Sequence, residues 1–142
     1  MNPTRVLFLC TGNSARSQMA EALLREKAGE RFEAFSAGLE PTEVHPMAIA
    51  AMVEIGVDIS AQRSKSLAEY LGKERFGYLI TVCDHAAANC PMFPGIASRL
   101  HWSLVDPAAA EGDDDERMAL FRRVRDQLAA LIDEFIADQQ SH

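Results

Sequence analysis

No apolar run in this chain of 142 residues is long enough to span a bilayer, so a membrane-crossing helix is not expected. Basic residues are in short supply. The 14 Lys and Arg stand against 21 Asp and Glu, a formal charge of −7. That balance argues against a general nucleic-acid or anionic-membrane surface, both of which need clustered cations, and any anion site must be local. One Arg precedes a short apolar run at the N-terminus with no small-residue cleavage pattern, so no secretory signal is read and a cytoplasmic protein is expected. Cysteine is limited to three, an odd number. A reducing compartment disfavours a structural disulfide framework, which leaves nucleophilic or redox use for these thiols. Repeats, linkers and low-complexity segments are missing too. Residues 1–142 therefore read as one domain, large enough for a hydrophobic core and able to stand as a monomer.

What is present centres on Cys10-Thr11-Gly12-Asn13-Ser14-Ala15-Arg16-Ser17. The apolar run Val6 to Leu9 before it reads as a buried strand, and Gln18 to Leu24 after it reads as a helix. In such a turn several backbone N–H groups converge and the positive end of the helix dipole adds to them, so an oxyanion is bound without a metal. Cys10 at its mouth, with Arg16 able to fold back over it, is expected to be a thiolate near neutral pH. Gly12 allows backbone conformations closed to most residues, and Asn13 tolerates left-handed geometry. Alone, Cys10 would read as a small buried hydrophobe and Arg16 as an ordinary helix-start residue. The ordered conjunction of strand, Cys, Gly-Asn, Arg-Ser and helix favours the functional reading.

Along the rest of the chain, a helix is expected from Ser17 to Ala28, a strand from Phe32 to Ala37, and a Gly-assisted turn at Gly38. A helix opens at His45-Pro46 and stops at Gly56, an extended piece covers Val57 to Ser60, and a short helix spans Ser66 to Leu71. Tyr78 to Val82 reads as a strand, Cys83 to Ile96 as a Pro- and Gly-punctuated loop, and Leu100 to Trp102 as a last short strand. The final helix runs from Asp114 to Ala137, its acidic start Asp113 to Glu116 explained by the helix dipole. Strands alternating with helices predict an α/β three-layer sandwich with a four-stranded parallel sheet. Such sheets bind ligands at the carboxyl ends of their strands, where Cys10, Cys83 and Asp106 all fall.

A thiolate in an oxyanion cradle attacks the central atom of a phosphate-like ion if something protonates the departing oxygen. Asp106, held before Pro107, is the candidate acid, with Asp84 as runner-up, although Asp-Pro is also a common turn. A phosphatase would need no more than this, which leaves Cys83 and Cys90 unexplained. Seven residues apart, they are close enough for a disulfide if the intervening loop bends. A thiolate relay would use both. Cys83 would attack the adduct on Cys10, reducing the central atom and making a Cys10–Cys83 disulfide, which Cys90 would resolve. Arsenic(V) is reducible in this way and phosphorus(V) is not. The alternatives are a structural Cys83 with an incidental Cys90, or a metal held by Cys83, His85 and Cys90. The latter lacks a fourth ligand and a usual zinc spacing, so no metal is expected. His45, His101 and His142 carry no motif.

With these residues in place, the chain resembles the arsenate reductases built on the low-molecular-weight protein tyrosine phosphatase fold. The resemblance covers essentially the whole chain and rests on Cys10 to Ser17 with Gln18-Met19-Ala20-Glu21, on Ser36-Ala37-Gly38, on Cys83…Cys90-Pro91, and on His101-Trp102 followed by Asp106-Pro107. It implies that Cys10 is the nucleophile and that the backbone from Thr11 to Ser17, with Arg16, holds arsenate. Ser17 would hydrogen-bond the Cys10 thiolate, Asp106 would be the general acid, and Cys83 and Cys90 the relay. Thioredoxin is the implied reductant, with glutaredoxin and glutathione as the other choice, and no cofactor is implied.

The chain departs from its relatives in two ways. Ala15 stands where many have another cysteine. Lys65 stands where some that bind potassium, through residues matching Asn13, Glu21 and Ser36, have an acidic side chain. An ammonium there would replace the cation. A protein phosphatase is the first alternative, but such enzymes carry tyrosines after the Asp-Pro, where this chain has Ala108-Ala109-Ala110. A non-catalytic oxyanion or redox sensor would need the same thiols, and turnover separates it from an enzyme.

Overall fold

A computed structural model describes residues 3–70, 72–91 and 94–140. Four strands, β1 (Thr4–Cys10), β2 (Phe32–Gly38), β3 (Phe76–Thr81) and β4 (Ile96–His101), form one parallel sheet in the order β2-β1-β3-β4. Four α-helices connect and cover them: α1 (Arg16–Ala28), α2 (Pro46–Val53), α3 (Asp84–Asn89) and α4 (Asp114–Gln140). Parallel strands need crossovers, and the alternation of apolar strand runs with amphipathic helices supplies them.

β1 lies between two neighbours and is covered on both faces. Successive side chains of a strand point to opposite sides, and Val6, Leu7, Phe8 and Leu9 are all fully buried. α4 covers one face. Its Phe135 ring meets Phe32, Tyr78 and Trp102, and its stripe of Phe121, Val124, Leu128 and Ile132 is fully buried. α1 packs against β1, β2 and α4. β4, by contrast, is an edge strand whose residues from Ala97 to His101 are exposed.

Several elements differ from the sequence reading. The segment after Cys83 is a helix rather than a loop, because Ala86-Ala87-Ala88 are strong helix formers and Asp84 places its charge in the first turn. Cys83 caps it, its sulfur accepting from the Ala86 N–H at 3.4 Å. β4 begins at Ile96 rather than Leu100, and its exposure on the sheet edge removes the alternation that would have announced it. The helix expected from Ser66 is a single 3₁₀ turn, Leu67–Glu69, and its expected end at Leu71 lies outside the described residues. α2 stops at Val53, before Gly56. α4 runs three residues past Ala137, to Gln140, with the Asp113 carboxylate accepting from the Glu116 N–H at its start. Among the described residues no helix is long and apolar enough to cross a membrane. His142 lies outside them.

Candidate active site

Cys10 is the last residue of β1, paired with Gly38 of β2, so its sulfur is delivered to the carboxyl edge of the sheet. The following loop wraps around it. The carbonyls of Cys10, Thr11, Gly12 and Ser14 accept from the N–H groups of Leu39, Glu40, Thr42 and His45, at 2.8 to 3.2 Å. A trans peptide carries its N–H opposite its carbonyl, so the N–H groups of Thr11, Gly12, Asn13 and Ala15 point away from that segment. The N–H of Asn13 reaches the Cys10 sulfur at 3.2 Å. The Ser17 hydroxyl lies 2.8 Å from the same sulfur and itself accepts from Asn13 Nδ2 at 2.7 Å, which leaves its hydrogen available to Cys10. A sulfur met by these groups at the start of α1 is set up to hold negative charge.

Asn13 makes this possible. It is buried and has φ of 48°, a left-handed conformation that asparagine tolerates. Its side-chain oxygen accepts from the Lys65 N–H at 2.8 Å and from Gln18 Nε2 at 3.0 Å, and its carbonyl accepts from Ser64 Oγ at 2.7 Å. Gly38 contributes by its lack of a side chain, rather than by the turn expected of it. A Cβ there would come within 2.7 Å of the Thr11 oxygen and 2.9 Å of the Asn13 nitrogen, both backbone atoms of the loop.

Arg16 opens α1 and is 8% exposed. Its guanidinium donates to the Leu104 carbonyl at 3.0 Å and lies 3.7 Å from Asp106 Oδ2. Asp106 precedes Pro107, and its other carboxylate oxygen caps the 3₁₀ turn Pro107–Ala109 by accepting from the Ala108 N–H at 3.0 Å. Cys83 is buried, its sulfur 3.5 Å from Thr11 Oγ1. Cys10, Thr11, Gly12, Ser14, Ala15, Arg16, Cys83 and Asp106 thus share one cleft of about 730 Å³. Cys90 does not line it. It sits at the far end of α3, half-buried, where Arg99 NH1 donates to its sulfur at 3.5 Å.

The partners of several of these residues were not legible in sequence. Asp84 also lines the cleft, but His101 Nε2 and Ser103 Oγ, each 2.9 Å from its Oδ1, hold its carboxyl below the usual carboxylate range. His101, which carries no motif, also meets Thr81 Oγ1 at 2.7 Å. His45 caps α2 by accepting from the Met47 N–H and packs on Phe121. Lys65 is buried beside Glu21 and Ser36. Its ammonium donates to Ser36 Oγ at 3.3 Å and to the Arg63 carbonyl at 3.0 Å, with Glu21 Oε1 3.6 Å away. Burial pushes the lysine's pKa down from its ordinary value, and the Glu21 charge opposes this. Among the described residues no group of three or more His, Cys, Asp or Glu is placed to hold a metal ion.

A parallel sheet that delivers a cysteine, a wrapped amide loop and an arginine to one cleft at its carboxyl edge defines an α/β protein of the cysteine-loop phosphatase class. The chain belongs to the low molecular weight phosphotyrosine protein phosphatase family, whose pattern matches residues 5–141. An arsenate reductase of Halalkalibacterium halodurans is 46% identical over 135 residues, covering 95% of this chain and 96% of that protein. Among solved structures, an arsenate reductase in the phosphate binding state matches with a TM-score of 0.79 and 32% identity, over 95% of this chain and 98% of that one. A thioredoxin-dependent arsenate reductase of Corynebacterium glutamicum matches with a TM-score of 0.74 and 31% identity, over 99% of this chain and 64% of that one.

Proposed function

We propose that this protein reduces arsenate to arsenite by a relay of three thiols. The observation that carries the reading is the meeting of two cysteines at one cleft: Cys10 inside the amide loop and Cys83 against Thr11 on its rim. A phosphate-ester hydrolase needs the first and has no use for the second. The arsenate reductases among the relatives support the same substrate.

The Cys10 thiolate attacks arsenic(V), forming an S–As bond. The departing oxygen takes a proton from Asp106 and leaves as water. The loop N–H groups and Arg16 hold the charge on the remaining oxygens. The Cys83 thiolate then attacks Cys10 Sγ. A Cys10–Cys83 disulfide forms, the S–As pair stays on arsenic, and arsenite with arsenic(III) departs. Cys90 attacks Cys83 Sγ next, releasing Cys10 as a thiolate and leaving a Cys83–Cys90 disulfide.

An external dithiol of the thioredoxin type returns that disulfide to two thiols, and the thioredoxin-dependent relative supports this choice over glutathione with glutaredoxin. We place the protein in the cytoplasm as a monomer, where such a reductant keeps its thiols reduced.

The test is NADPH consumption with arsenate, thioredoxin and thioredoxin reductase, run beside glutathione and glutaredoxin. Sustained arsenate-dependent turnover with thioredoxin is expected. Turnover with glutaredoxin alone would replace the reductant and keep the chemistry. No turnover with either, with all three thiols reduced, would overturn the reading, and hydrolysis of an aryl phosphate would then assign a phosphatase.

A further inference from the structure

α3 hangs from β4 at both ends. At its start, Asp84 Oδ1 accepts from Ser103 Oγ and from His101 Nε2, each at 2.9 Å, since a carboxylate can only accept. At its end, Arg99 donates to Cys90 Sγ at 3.5 Å and to the Pro91 carbonyl at 3.0 Å. Arg99 and His101 are two residues apart on one strand and so share a face. Both are exposed, and burial does not account for their placement.

We propose that Asp84, His101 and Ser103 form a clasp that positions Cys83 in the dithiol form and sets how readily the Cys83–Cys90 pair oxidises. This rests on the relay reading. Cys83 and Cys90 are the N- and C-caps of α3. Seven helical steps separate their Cα atoms by about 10 Å, at ~1.5 Å per residue. A disulfide needs roughly 4.4–6.8 Å, so the helix must unwind before the bond forms.

Asp84 is the residue next to Cys83; of its partners, His101 ends β4 opposite Thr81 of β3 and Ser103 follows two residues on. Unwinding the first turn swings its carboxylate away from them. An interaction made in the dithiol form and lost in the disulfide form draws the couple toward the dithiol. The clasp therefore keeps Cys83 beside Thr11 until the Cys10–Cys83 disulfide has formed. It also leaves the Cys83–Cys90 disulfide easier for an external dithiol to reduce. In the opening step Cys90 attacks Cys83 Sγ, the Cys83–Cys90 bond forms, and Cys10 leaves with the electron pair of the broken bond.

The test uses the full chain carrying Cys10→Ser, so that Cys83 and Cys90 pair with each other. It is equilibrated with reduced and oxidised glutathione and read by thiol alkylation and intact mass. No arsenate is needed. His101→Ala and Ser103→Ala are each expected to shift the equilibrium three- to tenfold toward the disulfide, the range of one ordinary, solvent-exposed hydrogen bond (about 15–30 mV for this two-electron couple). Asp84→Asn, which can still accept from both partners, is expected to shift it less than Asp84→Ala. Combined with His101→Ala, Asp84→Ala is expected to shift it by less than the product of the two single effects, because both remove the same contact.

The charge of Asp84 also favours the helix start, but that effect would leave the His101 and Ser103 variants at the parent value. Parent-like constants in those two variants, or multiplicative effects in the double variant, would overturn the clasp and leave the relay standing. No Cys83–Cys90 disulfide in the parent would overturn both.

Discussion

If α3 has to unwind for Cys90 to reach Cys83, making the helix cheaper to open should speed that step. Ala87 and Ala88 are the residues to change. Both lie in the second half of α3 and both are exposed, so replacing them with glycine removes little packing. Glycine costs a helix interior about 0.8–1.0 kcal/mol relative to alanine. Each substitution therefore raises the opened population by about four- to fivefold, and the pair by about twentyfold, at RT of ~0.59 kcal/mol.

The assay mixes the reduced Ala87→Gly, Ala88→Gly double variant with one equivalent of arsenate and no external reductant. Samples are quenched in acid, and disulfides are mapped by peptide mass. Arsenite release depends on Cys10 and Cys83 at the front of the helix and should proceed at the parent rate. Conversion of the Cys10–Cys83 form to the Cys83–Cys90 form should accelerate by about an order of magnitude, following the opened population. A conversion rate within twofold of the parent would refute the requirement for unwinding. So would a common slowing of both steps, since that would place the effect on Cys83 itself.

Asp106→Asn should bind arsenate and attack it about 10²–10⁴-fold more slowly, the usual contribution of a positioned acid, read by single-turnover arsenite release. Unchanged chemistry would remove Asp106 from the role. For the buried ammonium, activity and melting temperature of the parent should be equal in potassium and choline chloride at one ionic strength. Lys65→Asp should acquire a potassium-dependent rise in melting temperature from the oxygens of Asn13, Glu21 and Ser36, and a potassium requirement in the parent would refute the replacement. Glu54, bonded by Arg122 and Arg125, has its pKa lowered from 4.5 to about 2. A depressed carboxylate contributes stability fully above its unfolded pKa and loses it as pH falls through the folded one. The melting-temperature gap between the parent and Glu54→Gln should therefore be widest above pH 4.5 and close toward pH 2, and a gap constant with pH would count against the pairing.

The sheet, α1 and α4 were legible because their signals are strong and local: the buried run Val6 to Leu9, the turn motif after it, and a long stripe from Phe121 to Phe135. Cys10, Arg16, Cys83 and Asp106 were found as candidates through residue types and order, and the structure gathers these four into one cleft. α3 was hidden because Pro91, Pro94 and Gly95 made the whole stretch look like a loop, while its three alanines are helix formers without a periodic apolar face. The partners of Asp84 were hidden for a different reason. His101 and Ser103 lie 17 and 19 residues away, and only strand pairing brings them alongside. Ser17 and Asn13 were named, but their division of work around the sulfur depends on a left-handed residue and a buried amide network that no spacing rule encodes.

The position of β1 has a consequence for descent. Cys10 ends the central strand, covered on both faces, and its loop is tied to Gly38 and the 39–45 segment. Cys83 and Cys90 bracket a six-residue helix hung on an exposed edge strand. The anion pocket and the two later cysteines therefore sit on separate elements of the fold. A lineage can gain or lose the two later thiols by single codon changes while the loop around Cys10 keeps its shape, so hydrolases and reductases can be near neighbours on one ancestral scaffold.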